Sequence, residues 1–360
     1  MLQSILQGGE SPALSAALFL GSAVVVWLAG TRLAAYADRF ASAAGLGGAL
    51  VGLLILGGVT SLPEIATSAT AATRGAGGLA MNNLIGGVAL QLLVLAVVDV
   101  LIGKGALTAR PPRPDVMAYA GMNVLLLSVG AAAAAAGEIE LFGTGVGLGT
   151  AAVAVAYGAC LAVARAIERQ VPWTPAPVEG RPAPDEEGDE DDATSNPKGS
   201  VAKLGLLIAA TGLVILAAGY LLTRSGERLA DATGLGQSFF GAVFLGGATS
   251  LPELSSAIAA VRLGRPQMAV GDVLGGNLFN LSLLLAVDVL YRDGPVMAEA
   301  GAFEVVAASL GSIMAAIYLL GLIERRDRTV LRMGLDSAVV LGVYAAGLAV
   351  LYTLRNTAAQ

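Results

Sequence analysis

The chain has 360 residues, of which 56% are hydrophobic and 13% are charged, and its mean hydropathy is +0.74. This composition excludes a soluble globular protein and predicts an all-α polytopic membrane protein whose partner is the lipid bilayer. The chain contains one cysteine and no histidine, which excludes an internal disulfide and disfavours zinc and haem sites. We therefore expect no cofactor, no nucleic-acid partner and no obligate protein partner.

Apolar segments recur along the whole chain. Each contains about 20 residues or more, the length that crosses roughly 30 Å of hydrocarbon. They predict ten transmembrane helices, at residues 13–36, 44–73, 77–103, 115–136, 141–164, 201–223, 235–262, 267–291, 296–321 and 331–353.

The basic residues predict the orientation of these helices. With the N-terminus outside, five of the 21 basic residues lie outside and the other sixteen lie in cytoplasmic loops. Cytoplasmic loops of membrane proteins carry an excess of Lys and Arg. We therefore expect both termini outside, the central loop in the cytoplasm, and a multi-pass protein of the cell inner membrane.

A polar segment separates two apolar halves. Residues 170–200 contain eight acidic and two basic residues among Pro, Ser and Thr, a composition typical of disorder. The sequence therefore predicts a first half at 1–169, an acidic disordered linker at 170–200 and a second half at 201–360. The acidic run has two interpretations, a regulatory cation-binding segment or a solvated tether, and the tether is preferred.

The two halves repeat each other at a constant offset of 189 residues. Segments Gly57–Glu64 and Gly246–Glu253 both end in Thr-Ser-Leu-Pro-Glu, and Asp99 matches Asp288, a pair that we interpret as packing or interfacial charges. Each half has five predicted spans, and an odd number makes the second copy enter the membrane from the opposite side. The sequence therefore predicts two inverted five-helix repeats, with a binding site near the bilayer midplane.

The repeated motif places a proline and a glutamate inside each of two spans. Pro63 and Pro252 lack an N–H and clash with the carbonyl four residues earlier, so helical hydrogen bonding should fail around Val59 and Ala248. Ionisable side chains within a membrane mark ion pathways by default. Carboxylate, hydroxyl and freed carbonyl oxygens together suit a hard cation such as Ca²⁺ or Na⁺. The predicted motif ligands are Thr60, Ser61, Glu64, Thr249, Ser250 and Glu253.

A glycine-rich segment follows each motif, and each contains an amide four residues after its second glycine. These amides are Gln91 and Asn280, which are equivalent by the 189-residue offset. Paired glycines allow helices to approach closely or to break. The amides have two interpretations, as neutral ligands beside the glutamates or as interhelical hydrogen-bond partners with no ion contact.

The paired motifs resemble the two alpha repeats of the cation/Ca²⁺ antiporter superfamily, specifically of its sodium/calcium exchanger branch. Each Gly-x-Thr-Ser-Leu-Pro-Glu string precedes a segment of the type Gly-Asn-x-x-Gly-Ser-Asn-x-x-Asn, and the resemblance covers essentially the whole chain. It implies alternating access in which the first and sixth helices slide over the others. It also implies ion ligands at Thr60, Ser61, Glu64, Gln91, Thr249, Ser250, Glu253 and Asn280.

The chain departs from this family pattern at several positions. Gly87 and Gly276 stand where the family usually has serine, and Gln91 replaces asparagine. Asn280 stands where many sodium-coupled members have aspartate, and Asp272 replaces an asparagine. We interpret Asp272 either as an access or relay carboxylate or as a residue at the cytoplasmic end of its span.

The leading functional expectation is a secondary antiporter, not an enzyme, that extrudes Ca²⁺ in exchange for Na⁺. Two glutamates balance one Ca²⁺, two Na⁺ or two protons equally well, and desolvation and a like-charged neighbour favour protonated carboxyls. Ca²⁺/H⁺ or other cation/H⁺ exchange is therefore the nearest alternative. An intramembrane enzyme using the glutamate pair is a remote one, because an acid and a base need different environments. The sequence shows neither the filter-like loop that a passive channel requires nor the output domain that a sensor requires.

Overall fold

Helices form almost all of the structure, which is a computed structural model. It describes residues 11–43, 61–102, 106–109, 114–169, 201–262, 266–324, 328–330 and 332–355. The helices are α1 (Pro12–Ala43), α2 (Leu62–Thr73), α3 (Gly77–Ile102), α4 (Pro114–Ala136), α5 (Leu148–Arg169), α6 (Val201–Thr233), α7 (Gln237–Phe240), α8 (Gly246–Thr249), α9 (Leu251–Arg262), α10 (Pro266–Leu290), α11 (Ala302–Glu324) and α12 (Leu335–Leu354).

Short elements connect some of these helices. A π-helical turn, Gly241–Leu245, joins α7 to α8, and 3₁₀ turns occupy Leu107–Ala109 and Val296–Glu299. Strands β1 (Thr329–Val330) and β2 (Met333–Gly334) form a two-residue antiparallel hairpin in which Thr329 is opposite Gly334. The predicted linker at 170–200 lies outside the described residues, so the division into two halves around it stays a prediction.

Eight of the described helices are long and apolar enough to cross a bilayer, which supports an integral membrane protein. They are α1, α3, α4, α5, α6, α10, α11 and α12. The other two predicted spans are 44–73 and 235–262. Within the described part of the chain, the first contains only the 12-residue α2, and the second is divided among α7, the π turn, α8 and α9. The count of ten therefore stays a prediction.

The helix of the seventh predicted span is interrupted beside its proline. Ser250, with φ −83° and ψ 3°, separates α8 from α9. The ring of Pro252 crowds the turn before it and offers no N–H to the Ala248 carbonyl. The interruption therefore falls at Ser250, slightly after the predicted position. Ser61 has nearly the same dihedral angles, φ −81° and ψ 11°, immediately before α2, whereas Val59 lies outside the described residues.

Two helix starts differ from the predicted ones. Helix α5 begins at Leu148 rather than at 141, and Gly137, Gly143 and Gly145 in the loop before it all have positive φ. Helix α11 begins at Ala302 rather than at 296, after a 3₁₀ turn. Hydropathy does not distinguish an apolar loop from an apolar helix. Glycines with positive φ cannot be part of a right-handed helix, so α5 begins only after them.

Helix α3 lies at the centre of the molecule. In its most apolar window 72% of the residues are buried, compared with 17% in α12. It packs against α2, α9, α10, α11 and α12 and against the π turn. Helices α1 and α6 instead pack mainly on each other, with further contacts from α1 to α9 and from α6 to α2. The helices that contain the two glutamates thus lie between the central α3 and the α1–α6 pair.

Glycines allow α1 and α6 to approach the glutamate-bearing helices closely. A Cβ atom at Gly219 on α6 would lie 2.7 Å from the Cβ of Ala66 on α2, and one at Gly30 on α1 would overlap the Pro252 ring on α9. Gly30 and Gly219 are separated by 189 residues. The repeat in the sequence therefore corresponds to a repeated helix contact.

Two buried aspartates fix the loops that follow α3 and α10. Asp99 accepts hydrogen bonds from the backbone N–H groups of Leu107 (2.7 Å) and Gly334 (2.6 Å). Asp288 accepts from the N–H groups of Val296 (2.6 Å) and Gly147 (2.7 Å) and from the Thr150 hydroxyl. The interpretation of this equivalent pair as packing charges is confirmed, because each carboxylate holds two backbone segments together.

Candidate cation site

The two motif glutamates lie in the first turns of α2 and α9, directly after the prolines. Glu64 is 2% exposed, and neither carboxylate oxygen has a hydrogen-bond partner among the described residues. Glu253 is half-buried, and its Oε2 atom is buried without a partner. Each glutamate is a charged neighbour of the other. A buried carboxylate without donors is costly, so this pair has the electrostatic character of a cation site.

Another buried glutamate provides a contrast. Glu304 on α11 is 0% exposed, but its Oε1 atom accepts hydrogen bonds from Asn82 Nδ2 and Ser238 Oγ, both at 2.8 Å. Its Oε2 atom accepts from the N–H of Gly301 at 2.7 Å. Among the described residues, donors satisfy both oxygens of Glu304 and neither oxygen of Glu64, so burial alone does not explain the difference between the two carboxylates.

Hydroxyl groups surround the two interruptions. Ser61, Thr249 and Ser250 are buried, and Thr249 lies beside Glu64. The hydroxyls of Thr249 and Ser250 donate to the Gly246 carbonyl, at 3.1 Å and 2.8 Å. Their oxygen lone pairs therefore remain able to bind a cation. Thr60 lies outside the described residues.

The two predicted amides are buried on the central helices. Gln91 is on α3 and Asn280 is on α10, and the side-chain oxygen of each has no hydrogen-bond partner among the described residues. The described residues also contain no group of three or more His, Cys, Asp or Glu side chains that could hold a metal ion. A cation at the glutamates would therefore need hydroxyl, amide or backbone oxygens as additional ligands.

Two glycines leave space near these groups. A Cβ atom added at Gly87 or at Gly276 would meet no atom of the described residues within 4 Å. The backbone of α8 lies against Gly87, since a Cβ at Gly246 would lie 3.2 Å from the Gly87 Cα. The positions where the resembled family has serine thus contain neither a hydroxyl nor a substitute side chain.

Asn83 and Asp272 occupy equivalent positions beside the glutamates. The amide of Asn83 donates to Thr67 Oγ1 (3.0 Å) and Ser68 Oγ (2.8 Å), and its Oδ1 lies 3.5 Å from Thr249 Oγ1. Asp272 is a charged neighbour of Glu253. Asn83 therefore connects α2, α3 and α8 without charge, whereas Asp272 adds a carboxylate near Glu253.

The equivalent hydroxyls Thr67 and Ser256 were absent from the predicted site. Thr67 donates to the Pro63 and Glu64 carbonyls, at 2.8 Å and 3.2 Å, and Ser256 donates to the Glu253 carbonyl at 3.0 Å. Ser256 Oγ also lies 3.4 Å from Asp272 Oδ2. Each follows its glutamate by three residues, which is one helical turn, and this spacing in the sequence would have identified them.

Two fully buried asparagines were also absent from the predicted site. Asn277 on α10 has no hydrogen-bond partner for either side-chain atom, and Oδ1 of Asn123 on α4 also has none, among the residues that the structure describes. Asn277 directly follows the second glycine pair. A polar residue at this point of an apolar span is the signal that would have identified it.

The chain matches known membrane proteins over most of its length. Residues 14–166 and 203–353 match the family described as sodium/calcium exchanger protein. A 48-residue segment is 46% identical to the inner membrane protein YrbG of Escherichia coli (strain K12), and a 103-residue segment is 27% identical to the putative antiporter CaxA of Alkalimonas amylolytica. These segments are 13% and 28% of this chain and span only 15% and 32% of the two relatives.

Solved structures share the fold. The sodium-calcium exchanger NCX_Mj soaked with 10 mM Na⁺ and zero Ca²⁺ superimposes with a TM-score of 0.58 at 21% identity, over 94% of this chain and 99% of that chain. The same exchanger soaked with zero Na⁺ and Ca²⁺ gives a TM-score of 0.57 at 19% identity, over 95% and 100%. The family match covers the apolar segments on both sides of the acidic segment. The chain therefore belongs to the sodium/calcium exchanger protein family.

Proposed function

We propose that this chain is a secondary active cation antiporter that exports Ca²⁺ in exchange for Na⁺ by alternating access. The observation that carries the proposal is the pair Glu64 and Glu253, which are charged neighbours inside a membrane protein. Among the described residues, both oxygens of Glu64 and Oε2 of Glu253 have no hydrogen-bond donor. Two carboxylates balance the charge of one Ca²⁺ or two Na⁺. The same site can therefore be occupied alternately by the two ions without a large change in its net charge.

The proposed ligands combine these carboxylates with the neutral oxygens around them. The full set is Thr60, Ser61, Glu64, Gln91, Thr249, Ser250, Glu253 and Asn280. The unpartnered oxygens of Gln91 and Asn280 favour the ligand interpretation of these amides over an interhelical hydrogen bond. Hydroxyl, amide and carboxylate oxygens are the donor types that Ca²⁺ takes in proteins.

The proposed architecture is ten transmembrane helices in two inverted five-helix repeats. Three equivalences at the 189-residue offset support it: the interruptions at Ser61 and Ser250, the close contacts at Gly30 and Gly219, and the loop-binding carboxylates Asp99 and Asp288. Helices α1 and α6, which pack mainly on each other, are the pair proposed to slide. Such sliding would open the site to each side of the membrane in turn.

The proposed location is the bacterial inner membrane. The similarity of one segment to the inner membrane protein YrbG supports it. The excess of basic residues in the predicted cytoplasmic loops supports an orientation with both termini outside and the acidic segment inside.

Ca²⁺/H⁺ exchange is the second candidate, and neutral Asn280 favours it. In the resembled family many sodium-coupled members have aspartate at this position, and two glutamates accept two protons as readily as two Na⁺. An intramembrane enzyme is disfavoured, because the two carboxylates occupy equivalent places in a chain of an exchanger family.

Ca²⁺ uptake into proteoliposomes tests the function. Uptake is driven either by a Na⁺ gradient or by a pH gradient, and wild type is compared with Glu64→Gln and Glu253→Gln. We expect a Na⁺ gradient to drive uptake and each variant to lose about tenfold or more in rate, since a buried charged ligand is worth at least 1.4 kcal/mol.

Glu304→Gln is the matched control, because it removes a buried carboxylate whose oxygens already have donors. It should retain transport. Unimpaired flux in both motif variants would show that the site is wrong, whereas uptake driven only by a pH gradient would replace Na⁺ by H⁺ as the counter-ion.

A further inference from the structure

Asn277 is a fully buried residue whose side chain forms no hydrogen bond with a polar partner in the described part of the chain. It is 0% exposed, and neither its Oδ1 nor its Nδ2 atom has a hydrogen-bond partner among the described residues. Within a membrane protein each unsatisfied polar group costs several kcal/mol, and buried side-chain amides are normally paired. A side chain kept at this cost indicates a bound group that the protein itself does not supply.

A second amide lies at the same place on the neighbouring helix. Asn123 of α4 is 0% exposed, and its Nδ2 atom donates to the Leu274 carbonyl of α10 at 2.8 Å. This bond fixes the amide against the turn of α10 that leads to Asn277, three residues later. Asn123 Oδ1 has no partner in the described part of the chain. Two packed helices therefore each contain, near this contact, a fully buried amide oxygen that has no partner among the described residues.

The amides of this region differ from the glutamate pair in charge. Asn280, whose Oδ1 is also unpartnered, follows Asn277 by one helical turn. The three groups are neutral amides, and neutral carbonyl-type oxygens coordinate dehydrated monovalent cations in channels and transporters. A divalent ion taken from water requires carboxylates to offset its larger desolvation cost, so the neutral region suits Na⁺ rather than Ca²⁺.

Two of these three groups have no amide counterpart at the pseudo-symmetric positions. At the 189-residue offset, Val88 corresponds to Asn277 and Ser312 corresponds to Asn123. The Ser312 hydroxyl is 3.2 Å from Ser128 Oγ and donates to the Val124 carbonyl at 3.3 Å. Gln91, the counterpart of Asn280, is also a buried amide whose Oε1 has no partner among the described residues, so the difference between the two positions is limited to Asn123 and Asn277.

We infer that the Oδ1 atoms of Asn123, Asn277 and Asn280 form a monovalent-cation station on the α10 side of the glutamate pair, and that it binds Na⁺. The inference rests on the proposed Na⁺/Ca²⁺ exchange, for which it supplies a Na⁺ position separate from the carboxylates. The Nδ2 group of Asn277 then remains available to donate to a water molecule beside the ion.

Equilibrium binding of ²²Na⁺ and of ⁴⁵Ca²⁺ to the full chain in lipid nanodiscs tests the station. Asn277→Leu and Asn123→Leu should each weaken Na⁺ binding about tenfold or more, since a ligand to a buried charge is worth at least 1.4 kcal/mol. Both variants should leave Ca²⁺ binding in Na⁺-free medium within about twofold of wild type, since neither Asn277 nor Asn123 is among the proposed Ca²⁺ ligands and Asn280, which belongs to both sets, is unchanged. Ser312→Ala is the matched control and should change neither affinity. If either leucine variant does not give a monodisperse protein, the serine variant at the same position, Asn277→Ser or Asn123→Ser, replaces it.

The outcomes separate this inference from the proposed function. Unchanged Na⁺ binding in the Asn277 and Asn123 variants would overturn the station and leave Na⁺/Ca²⁺ exchange intact. A parallel loss of Na⁺ and Ca²⁺ binding would also overturn it, because it would indicate a structural role for the amides. If wild type binds no ²²Na⁺, the station and the Na⁺ coupling both fail, whereas Ca²⁺ binding that depends on Glu64 and Glu253 would preserve the glutamate site.

Discussion

At the level of single residues, hydrogen-bond donors distinguish a structural buried carboxylate from one that is available to an ion. Asp99, Asp288 and Glu304 each receive donors on both oxygens and hold separate segments of the chain together. Glu64 receives none from the residues that the structure describes. Because both kinds occur in one molecule, substitutions at the two kinds should affect different properties.

Glu304→Leu should lower stability more than it lowers ion binding. The substitution leaves Asn82, Ser238 and the Gly301 N–H without their shared acceptor, and each unpaired buried donor costs about 1–3 kcal/mol. We expect a clear fall in the thermal unfolding temperature in detergent and a smaller fall in Glu304→Gln, which keeps one acceptor oxygen. An unchanged unfolding temperature in Glu304→Leu would contradict the structural role.

Gly87→Ser should add a ligand rather than disturb packing. A Cβ at Gly87 meets no atom within 4 Å, whereas one at the neighbouring Gly86 would overlap Ala242. We expect Gly87→Ser to raise Ca²⁺ affinity by about tenfold, since a hydrogen-bonding or ligand contact to a charged group contributes about 1.5 kcal/mol or more. Gly86→Ser should instead reduce the yield of folded protein. Binding of ⁴⁵Ca²⁺ measures the first effect, and equal or weaker binding in Gly87→Ser would show that the space does not face the ion.

At the level of helices, the contacts of α1 and α6 determine how the proposed sliding pair meets the site. Gly30 and Gly219 bring these helices against Pro252 and Ala66, which flank the glutamates in sequence. The Trp27 indole also donates to Ser255 on α9, and Thr223 on α6 donates to the Thr67 carbonyl at 3.1 Å. A movement of α1 or α6 would therefore act directly on the segments that contain the candidate ligands.

Gly30→Ala and Gly219→Ala should both slow transport. An added methyl group overlaps Pro252 or Ala66, and overpacking of this kind costs about 1–3 kcal/mol. Gly21 of α1 is the matched control, since a Cβ there meets nothing within 4 Å, and Gly21→Ala should stabilise the helix by up to about 1 kcal/mol. The measurements are thermal stability and Ca²⁺ uptake at saturating Ca²⁺. Equal uptake in all three variants would exclude a role for the close contacts.

The sequence predicted which long segments form helices better than it predicted where each helix begins and ends. Hydropathy identified all eight long helices, because an uninterrupted apolar run of this length has few alternatives in a membrane. It did not identify the loop before Leu148, where Gly143 and Gly145 adopt left-handed dihedral angles within an apolar stretch. The prolines predicted that the spans would be interrupted, but the exact residue, Ser250, depends on how the chain before Pro252 relieves its clash.

The candidate site was predictable only where the sequence repeats. Glu64 and Glu253 were identified because the same helix-breaking motif occurs twice. Asn277 and Asn123 were not, because each has a different residue type at the equivalent position in the other half. Whether a buried amide has a partner depends on the side chains of neighbouring helices, and spacing along the chain does not contain that information.

At the level of the whole molecule, the two halves share a plan but differ in polar contacts. Asn83 is neutral where Asp272 is charged, and the unpartnered amides of Asn123 and Asn277 correspond to Ser312 and Val88. A strictly symmetric carrier would present equivalent surroundings to the ions in its two access states. The differences therefore allow the two states to have unequal affinities, which direction-dependent exchange requires.

Within the described part of the chain, an ion pair joins the two halves. Arg74, at the C-terminus of α2, forms a bidentate pair with Glu227 of α6, with Nε–Oε1 and Nη2–Oε2 distances of 2.8 Å and 2.9 Å. The hydrogen bonds to Glu227 raise the pKa of Arg74 above its usual value. The residue equivalent to Arg74 in the second half is the uncharged Leu263. If α6 slides over α2, this pair must form and break once in each transport cycle.

Breaking the pair should therefore alter the balance between the two access states. Both side chains are partly exposed, and exposed pairs contribute about 0.2–1 kcal/mol, so Arg74→Gln or Glu227→Gln should change the transport rate by at most about fivefold. The swapped double variant Arg74→Glu with Glu227→Arg should recover most of the wild-type rate, and high salt should reduce the difference between wild type and the single variants. Arg292→Gln removes another exposed arginine and is the charge-matched control. The single variants could instead change the transport rate no more than Arg292→Gln does, with no coupling between Arg74 and Glu227 in a double-mutant cycle. That result would show that α2 and α6 do not separate at this contact during transport.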